Sequence, residues 1–227
     1  MISVKKVNLN VYLFYFLCYY FYMNKVLWID TETLSFNPER ADIIQIAGMI
    51  EIDGKCVERF NWLIRPEEYD DENNIEGIWK FHEDNLGLTK EDILDGLPAE
   101  EVYKEFVQML SKYCDKYDRN DKFALGGYNV QFDLGKLNGW FKHFGDNYLF
   151  SYISSIKYDP MYIVPFIIQD YPFNRMKLGQ MWDYLVDCGM PIPKKFKDQN
   201  HSADSDIIKT YWIWKKICIP SREAFLN

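Results

Sequence analysis

Apolar residues run without a break through Val26, Leu27, Trp28 and Ile29, then stop against Asp30-Thr31-Glu32-Thr33. A short apolar block of this kind predicts a buried strand over Lys25 to Ile29. The next stretch, "ADIIQIAGMIEIDGKCVERFNWLIRP", holds two more apolar-rich runs joined at Asp53-Gly54, the dipeptide type that most favours a tight hairpin. Strands one to three therefore read as an antiparallel meander. From Tyr69 to Pro98 the chain is acidic and reads as loop, apart from a short helix announced by the capping-box pattern Thr89-x-x-Asp92. Pro98 opens a further helix, in which Val102, Phe106, Met109, Leu110 and Tyr113 recur on one face that covers a sheet. "KFALGGYN" reads as a buried strand leading into a helix over "FDLGKLNGWFKHFG". After an unassigned stretch from Tyr158 to Asp170, two last helices are expected around Leu178 to Cys188 and Ala203 to Ile217. Strands that precede and then alternate with helices, without repeat, linker or boundary, predict one α/β domain with a mixed sheet.

With 227 residues, 48% of them hydrophobic, the chain can bury a sizeable core and carries no signature of disorder. Its five cysteines, Cys18, Cys56, Cys114, Cys188 and Cys218, are odd in number and widely spaced. That pattern argues against a disulfide framework or a zinc site and for reduced, packing cysteines in a cytoplasmic protein. A net charge of −8 is unusual for a nucleic-acid binder, so such a role needs local basic patches or bound cations. The apolar run Val11 to Met23 follows Lys5 and Lys6; it is short of the roughly 20 residues of a spanning helix and lacks a small-residue cleavage site. Residues 1–22 are read as a dispensable or non-native extension, with membrane insertion not expected and an interfacial anchor as the alternative. Without them the charge moves from −8 to −10, since Lys5 and Lys6 leave and no acid does.

The carboxylates change the picture. Side chains alternate along a strand, so Asp30 and Glu32 point to the same side. Held side by side, two like charges need either a proton or a cation between them. Further oxygen ligands would have to come from distant segments. Asn129 and Asp133 in "GYNVQFDLGKL" stand four apart where a strand gives way to a helix, so both can face the same way, with Asp133 pointing back over the sheet. In the run Gln199 to Asp206, Ser202 is a plausible N-cap, Asp206 lies in the first turns of the helix, and His201 approaches from the loop. Asn129 also reads as a turn or cap residue. His82 and His143 are read as structural or solvent-facing.

Taken together, "WIDTET", "GYNVQFDLGKL" and "HSADSD" resemble, in order and spacing, the three exonuclease motifs of the DEDDh 3′→5′ exonucleases. That superfamily includes polymerase proofreading subunits, ribonuclease T and oligoribonuclease. The resemblance spans about Lys25 to Lys216, and His201, with four residues between it and Asp206, separates this branch from the tyrosine-containing one. It implies a ribonuclease H-like mixed sheet with helices on both faces, in an exonuclease domain over residues 23–227. It further implies that Asp30, Glu32, Asp133 and Asp206 bind two divalent ions, Mg²⁺ or Mn²⁺, and that His201 is the general base. Oxygen-only ligation suits those ions. The implied activity is release of nucleoside 5′-monophosphates from 3′ ends of single-stranded or frayed DNA or RNA, with a polymerase or replication protein as a further partner. Lys194, Lys195 and Lys197 in "PIPKKFKDQNHS" are the candidate phosphate-tracking patch, to be set against an ordinary solvated loop. Thr33, Leu34 and Phe36 follow the first motif, where the family contacts the terminal nucleotide; for Phe36, base stacking and core packing are both open. The contrasting readings are a non-catalytic nucleic-acid-binding or interaction module on the same fold, and an interfacial membrane protein using residues 11–23.

Overall fold

The computed structural model describes residues 25–38, 40, 42–67, 75–168, 172, 176–193 and 202–221. The meander forms as the pattern predicts. Strand β1 (Lys25–Thr33) pairs antiparallel with β2 (Ile43–Ile52), and β2 pairs antiparallel with β3 (Lys55–Arg65). The turn between β2 and β3 is the two residues Asp53 and Gly54, both with positive φ (52° and 76°), the conformation that matches strand twist in a two-residue hairpin.

The segment read as loop between Tyr69 and Pro98 is a correction: it contains helix α1 (Ile75–Leu86) ahead of the expected short helix α2 (Lys90–Leu94). The capping box at α2 is complete, with the Thr89 side chain accepting from the Asp92 backbone and the Asp92 side chain accepting from that of Thr89. A two-residue strand β4 (Leu97–Pro98) then adds to β3 in parallel. Helix α3 (Ala99–Tyr113) buries Val102, Phe106 and Leu110, the expected stripe, and β5 (Phe123–Gly126) is buried throughout. Helix α4 (Val130–His143) follows. Beyond α4 come a short helix α5 (Leu149–Tyr152) and strand β6 (Ile153–Tyr158), neither of which the sequence pattern announced, and the unassigned stretch holds helix α6 (Pro160–Ile167). Helices α7 (Leu178–Asp187) and α8 (Ala203–Ile213) close the described order, α8 running on into a π-helical turn at Trp214–Cys218.

Among the described residues the sheet has six strands in the order β4-β3-β2-β1-β5-β6, with β5 parallel to both β1 and β6. Alternation along β1 sorts the two faces. Leu27 and Ile29 join Phe106, Leu137 and Trp140 of α3 and α4 in the main core, while Val26 and Trp28 face Ile207 of α8. Helices thus cover both faces. Trp28 is fully buried, donates its indole N–H to Glu51 at 2.8 Å, and sets its ring edge to Tyr211 at 5.4 Å. Gly126 makes room for it: a Cβ there would lie 2.4 Å from the indole, so only glycine lets β5 approach β1 this closely. That approach brings the end of β5 and the start of α4 beside the polar end of β1.

Candidate active site

The chain turns from β5 into α4 through Asn129, which adopts the left-handed conformation (φ 57°) and leaves its own side chain out of the cap. The cap comes from Asp159, at the end of β6, whose carboxylate accepts the backbone N–H groups of Asn129 at 3.1 Å and Val130 at 3.0 Å. The same carboxylate caps α6 through Met161 at 3.0 Å. Sequence reasoning passed over Asp159, although an acid directly before Pro160 is a recognised helix-start signal. Asn129 thus stands just outside α4 and is exposed, four positions ahead of buried Asp133.

Asp133 enters the first turn of α4 and is buried. One carboxylate oxygen accepts both the backbone N–H of Thr31, at 2.9 Å, and the Thr31 hydroxyl, at 2.8 Å. Helix α4 is therefore bolted to β1 between Asp30 and Glu32. On the other helical layer, Ser202 caps α8 as expected, its hydroxyl accepting from the backbone of Ser205 at 3.3 Å, and Asp206 sits in the first turn. The Lys209 ammonium is 4.0 Å from the Asp206 carboxylate.

Four carboxylates from three separate segments consequently share one electrostatic field. Burial, and then Asp133, Glu32 and Asp206, hold the Asp30 carboxyl well above the usual carboxylate range. Burial followed by Asp206 and Asp133 pushes Glu32 up to about 7. Burial likewise lifts Asp133 to about 7, against the opposing pull of its two Thr31 hydrogen bonds. Such a cluster is unfavourable as four anions and favourable around positive charge, and its all-oxygen donors suit a hard divalent cation. Among the described residues no three histidine, cysteine or acidic side chains are drawn together as a metal-holding group.

His201, Lys194, Lys195 and Lys197 lie outside the described residues. After Glu32 the chain leaves β1 in a loop. The Thr33 hydroxyl donates to the Ser35 carbonyl at 2.8 Å, and the Thr33 carbonyl accepts from buried His82 at 3.1 Å. Burial lowers the His82 pKa, consistent with a neutral ring donating through Nε2. Leu34 packs with Ile44, Trp79 and Ile93 and is only 4% exposed, so its side chain is unavailable to a nucleotide. Phe36 is the reverse. At 92% exposure it does not belong to the core, and its ring lies edge-on to Phe132, the residue before Asp133, with centroids 6.3 Å apart.

No protein-family model matches the sequence, and no curated protein does. Solved structures do match. The zinc-bound complex of E. coli ExoI with single-stranded DNA aligns with a TM-score of 0.63 at 15% identity, over 89% of this chain and 42% of that one. E. coli Exonuclease I in complex with a 5cy-dT13 oligonucleotide aligns at 0.59 and 13%, over 90% and 43%. The fold is ribonuclease H-like. A product-bound exonuclease I structure gives the same picture, with a TM-score of 0.57 at 14% identity over 90% of this chain and 46% of that one. This chain spans less than half the length of those proteins. Among the described residues no helix of this ribonuclease H-like domain is long and apolar enough to cross a membrane.

Proposed function

We propose that the chain is a metal-dependent 3′→5′ exonuclease that releases nucleoside 5′-monophosphates from single-stranded or frayed nucleic acid. The observation that carries the reading is the mutual electrostatic coupling of Asp30, Glu32, Asp133 and Asp206, from β1, α4 and α8, at the partly buried end of a central strand of a ribonuclease H-like sheet. Strongly perturbed carboxylates that converge from distant segments mark functional sites far more often than random surface acids do. The likeness to exonuclease I structures, one of them a complex with single-stranded DNA, supports a nucleic-acid substrate.

In this reading Asp30, Glu32, Asp133 and Asp206 hold two divalent ions, Mg²⁺ or Mn²⁺, which when bound supply positive charge at the scissile phosphate. His201, ahead of the α8 cap, takes the proton of the attacking water, a role that suits a neutral imidazole near pH 7. Lys194, Lys195 and Lys197 track backbone phosphates behind the cleaved bond. The turn after Glu32 abuts the terminal nucleotide. Asp133 serves twice, since the oxygen that accepts from Thr31 also fixes the register between α4 and β1.

The test is digestion of a 5′-labelled single strand in Mg²⁺ or Mn²⁺, beside the same strand with a blocked 3′ end and a circular one. A ladder shortening from the 3′ end on the open strand alone is expected. Equal digestion of the blocked or circular strand would identify an endonuclease, and no digestion with either metal would leave a binding module.

A further inference from the structure

We propose that Lys136 is a positioning residue that locks the loop between β1 and β2, so that Phe36, resting on Phe132, stands as a fixed stacking platform for the terminal base of a single strand. The inference rests on the nucleolytic reading above and names a residue that takes no part in the chemistry.

Lys136 lies one turn beyond Phe132 on α4, and it is fully buried. A lysine is almost never fully buried unless its ammonium is paired and hydrogen-bonded. Here the ammonium meets Asp42 at 2.6 Å, the Asn37 carbonyl at 2.7 Å and the Ser35 hydroxyl at 3.4 Å. Three donors thus find three acceptors, and all three belong to the loop that leaves β1. The carboxylate of Asp42 is as completely buried as the ammonium. The neck of the loop is closed separately by the Leu34 N–H donating to the Asp42 carbonyl at 3.0 Å. Gly135 lets the loop lie down on α4, since a Cβ there would stand 3.1 Å from Cβ of Pro38.

A loop held at its start, middle and end is over-determined for a mere connection, yet its tip carries a phenyl ring that is 92% exposed. The exposed ring lies against Phe132, the residue preceding Asp133, and stands four positions after Glu32 in the chain. Aromatic rings contribute to single-strand binding by stacking on bases without reading sequence. A ring already held in place loses little freedom when a base arrives, whereas one on a loose loop must be ordered first. The buried ion pair is then a means of preorganisation, bought with the cost of burying two charges.

The experiment uses the full chain in Ca²⁺, binding a single-stranded oligonucleotide with 2-aminopurine at either its 3′-terminal or an internal position. In the wild type the terminal probe should be quenched on binding well beyond the internal one. Phe36→Ala should abolish the terminal quench and weaken binding on the order of tenfold. The double variant K136M/D42L, which removes both charges so that neither is left buried alone, should lose the terminal quench while keeping the internal signal. Adding F36A to it should change nothing further, as expected for residues acting as one unit. In Mg²⁺ the same variants should raise KM more than they lower kcat. A K136M/D42L protein that melts cooperatively and keeps the terminal quench would overturn the proposal, as would an F36A protein that keeps it. If K136M/D42L does not melt cooperatively, Gly135→Val, which pushes on Pro38 and leaves the ion pair in place, decides: loss of the terminal quench supports the platform and its retention refutes it. A wild type that digests strands without quenching the terminal probe defeats the platform alone. One that quenches but does not digest defeats the nuclease reading and leaves the platform as a binding device.

Discussion

Replacing Glu32 by Gln should stabilise the metal-free protein, and by an amount that depends on pH in a defined direction. The Glu32 carboxyl is moved from its ordinary 4.5 to about 7, first by burial and then by the charges of Asp206 and Asp133. Folding therefore favours the protonated form. Below about pH 4.5 the group is protonated whether the chain is folded or not, and it costs nothing. As pH rises through 4.5 to about 7 the unfolded chain releases its proton first, and folded stability falls until both states are ionised. At roughly 1.4 kcal/mol per tenfold change in the proton equilibrium, the full penalty above pH 7 is about 3 kcal/mol. Gln keeps the shape and removes the charge. In chelator at pH 8, Glu32→Gln should raise Tm by roughly 6–12 °C, at about 2–4 °C per kcal/mol for a chain this size. At pH 4.5 the gain should shrink to near zero. With saturating Mg²⁺ it should vanish or reverse, because the wild-type carboxylate then has a cation to face. The assay is a thermal melt of both proteins at the two pH values, with chelator and with Mg²⁺. An equal gain at both pH values, or no gain at pH 8, would refute the shared field.

Asp30→Ala and Asp206→Ala should each abolish hydrolysis of a single-stranded oligonucleotide while circular dichroism and a cooperative melt report an intact fold; full activity in either would remove the metal-ligand assignment. Asp159→Ala strips the cap from α4 and α6 at once, leaving the N–H groups of Asn129, Val130 and Met161 unpartnered, so unfolding in urea should report a loss of roughly 2 kcal/mol. Gly126→Ala drives a methyl into the Trp28 ring and should destabilise by about 1–3 kcal/mol, read in the same titration. Replacing Lys194, Lys195 and Lys197 together by Ala should weaken strand binding and flatten its salt dependence without moving the cut, as measured by Kd at several salt concentrations.

What could be read from the sequence was what local periodicity encodes. The meander followed from short apolar-rich runs and an Asp-Gly turn, and the α3 stripe from helical spacing. The Thr89 box and the Ser202 cap were legible because capping is local chemistry. Helix α1 was not read, although Ile75, Ile78 and Trp79 of "IEGIWKFHEDNL" stand at helical spacing, because Gly77 and the surrounding acids give the segment the look of a loop. Strand β6, "ISSIKY", escaped for a related reason: it is held by parallel pairing with β5, which no local pattern announces. At the site, the common side of Asp30 and Glu32 could be deduced from β geometry alone, and the contributions of Asp133 and Asp206 from family resemblance. Lys136 could not. A lysine in the middle of a helix reads as a solvated charge, and only the fold reveals the carboxylate folded over it.

The sheet also dictates when its parts can form. The β1–β2–β3 meander closes through short connections, one of them two residues long, so its pairing costs little chain entropy. The parallel pairing of Val26 with Ala124 instead joins positions nearly a hundred residues apart, a contact that is slow to find. Asp30 and Glu32 ride on the early half, while Asp133 and Asp206 arrive with the late one. The four carboxylates therefore meet only once the long-range sheet is in place, and their mutual disfavour falls on the finished structure.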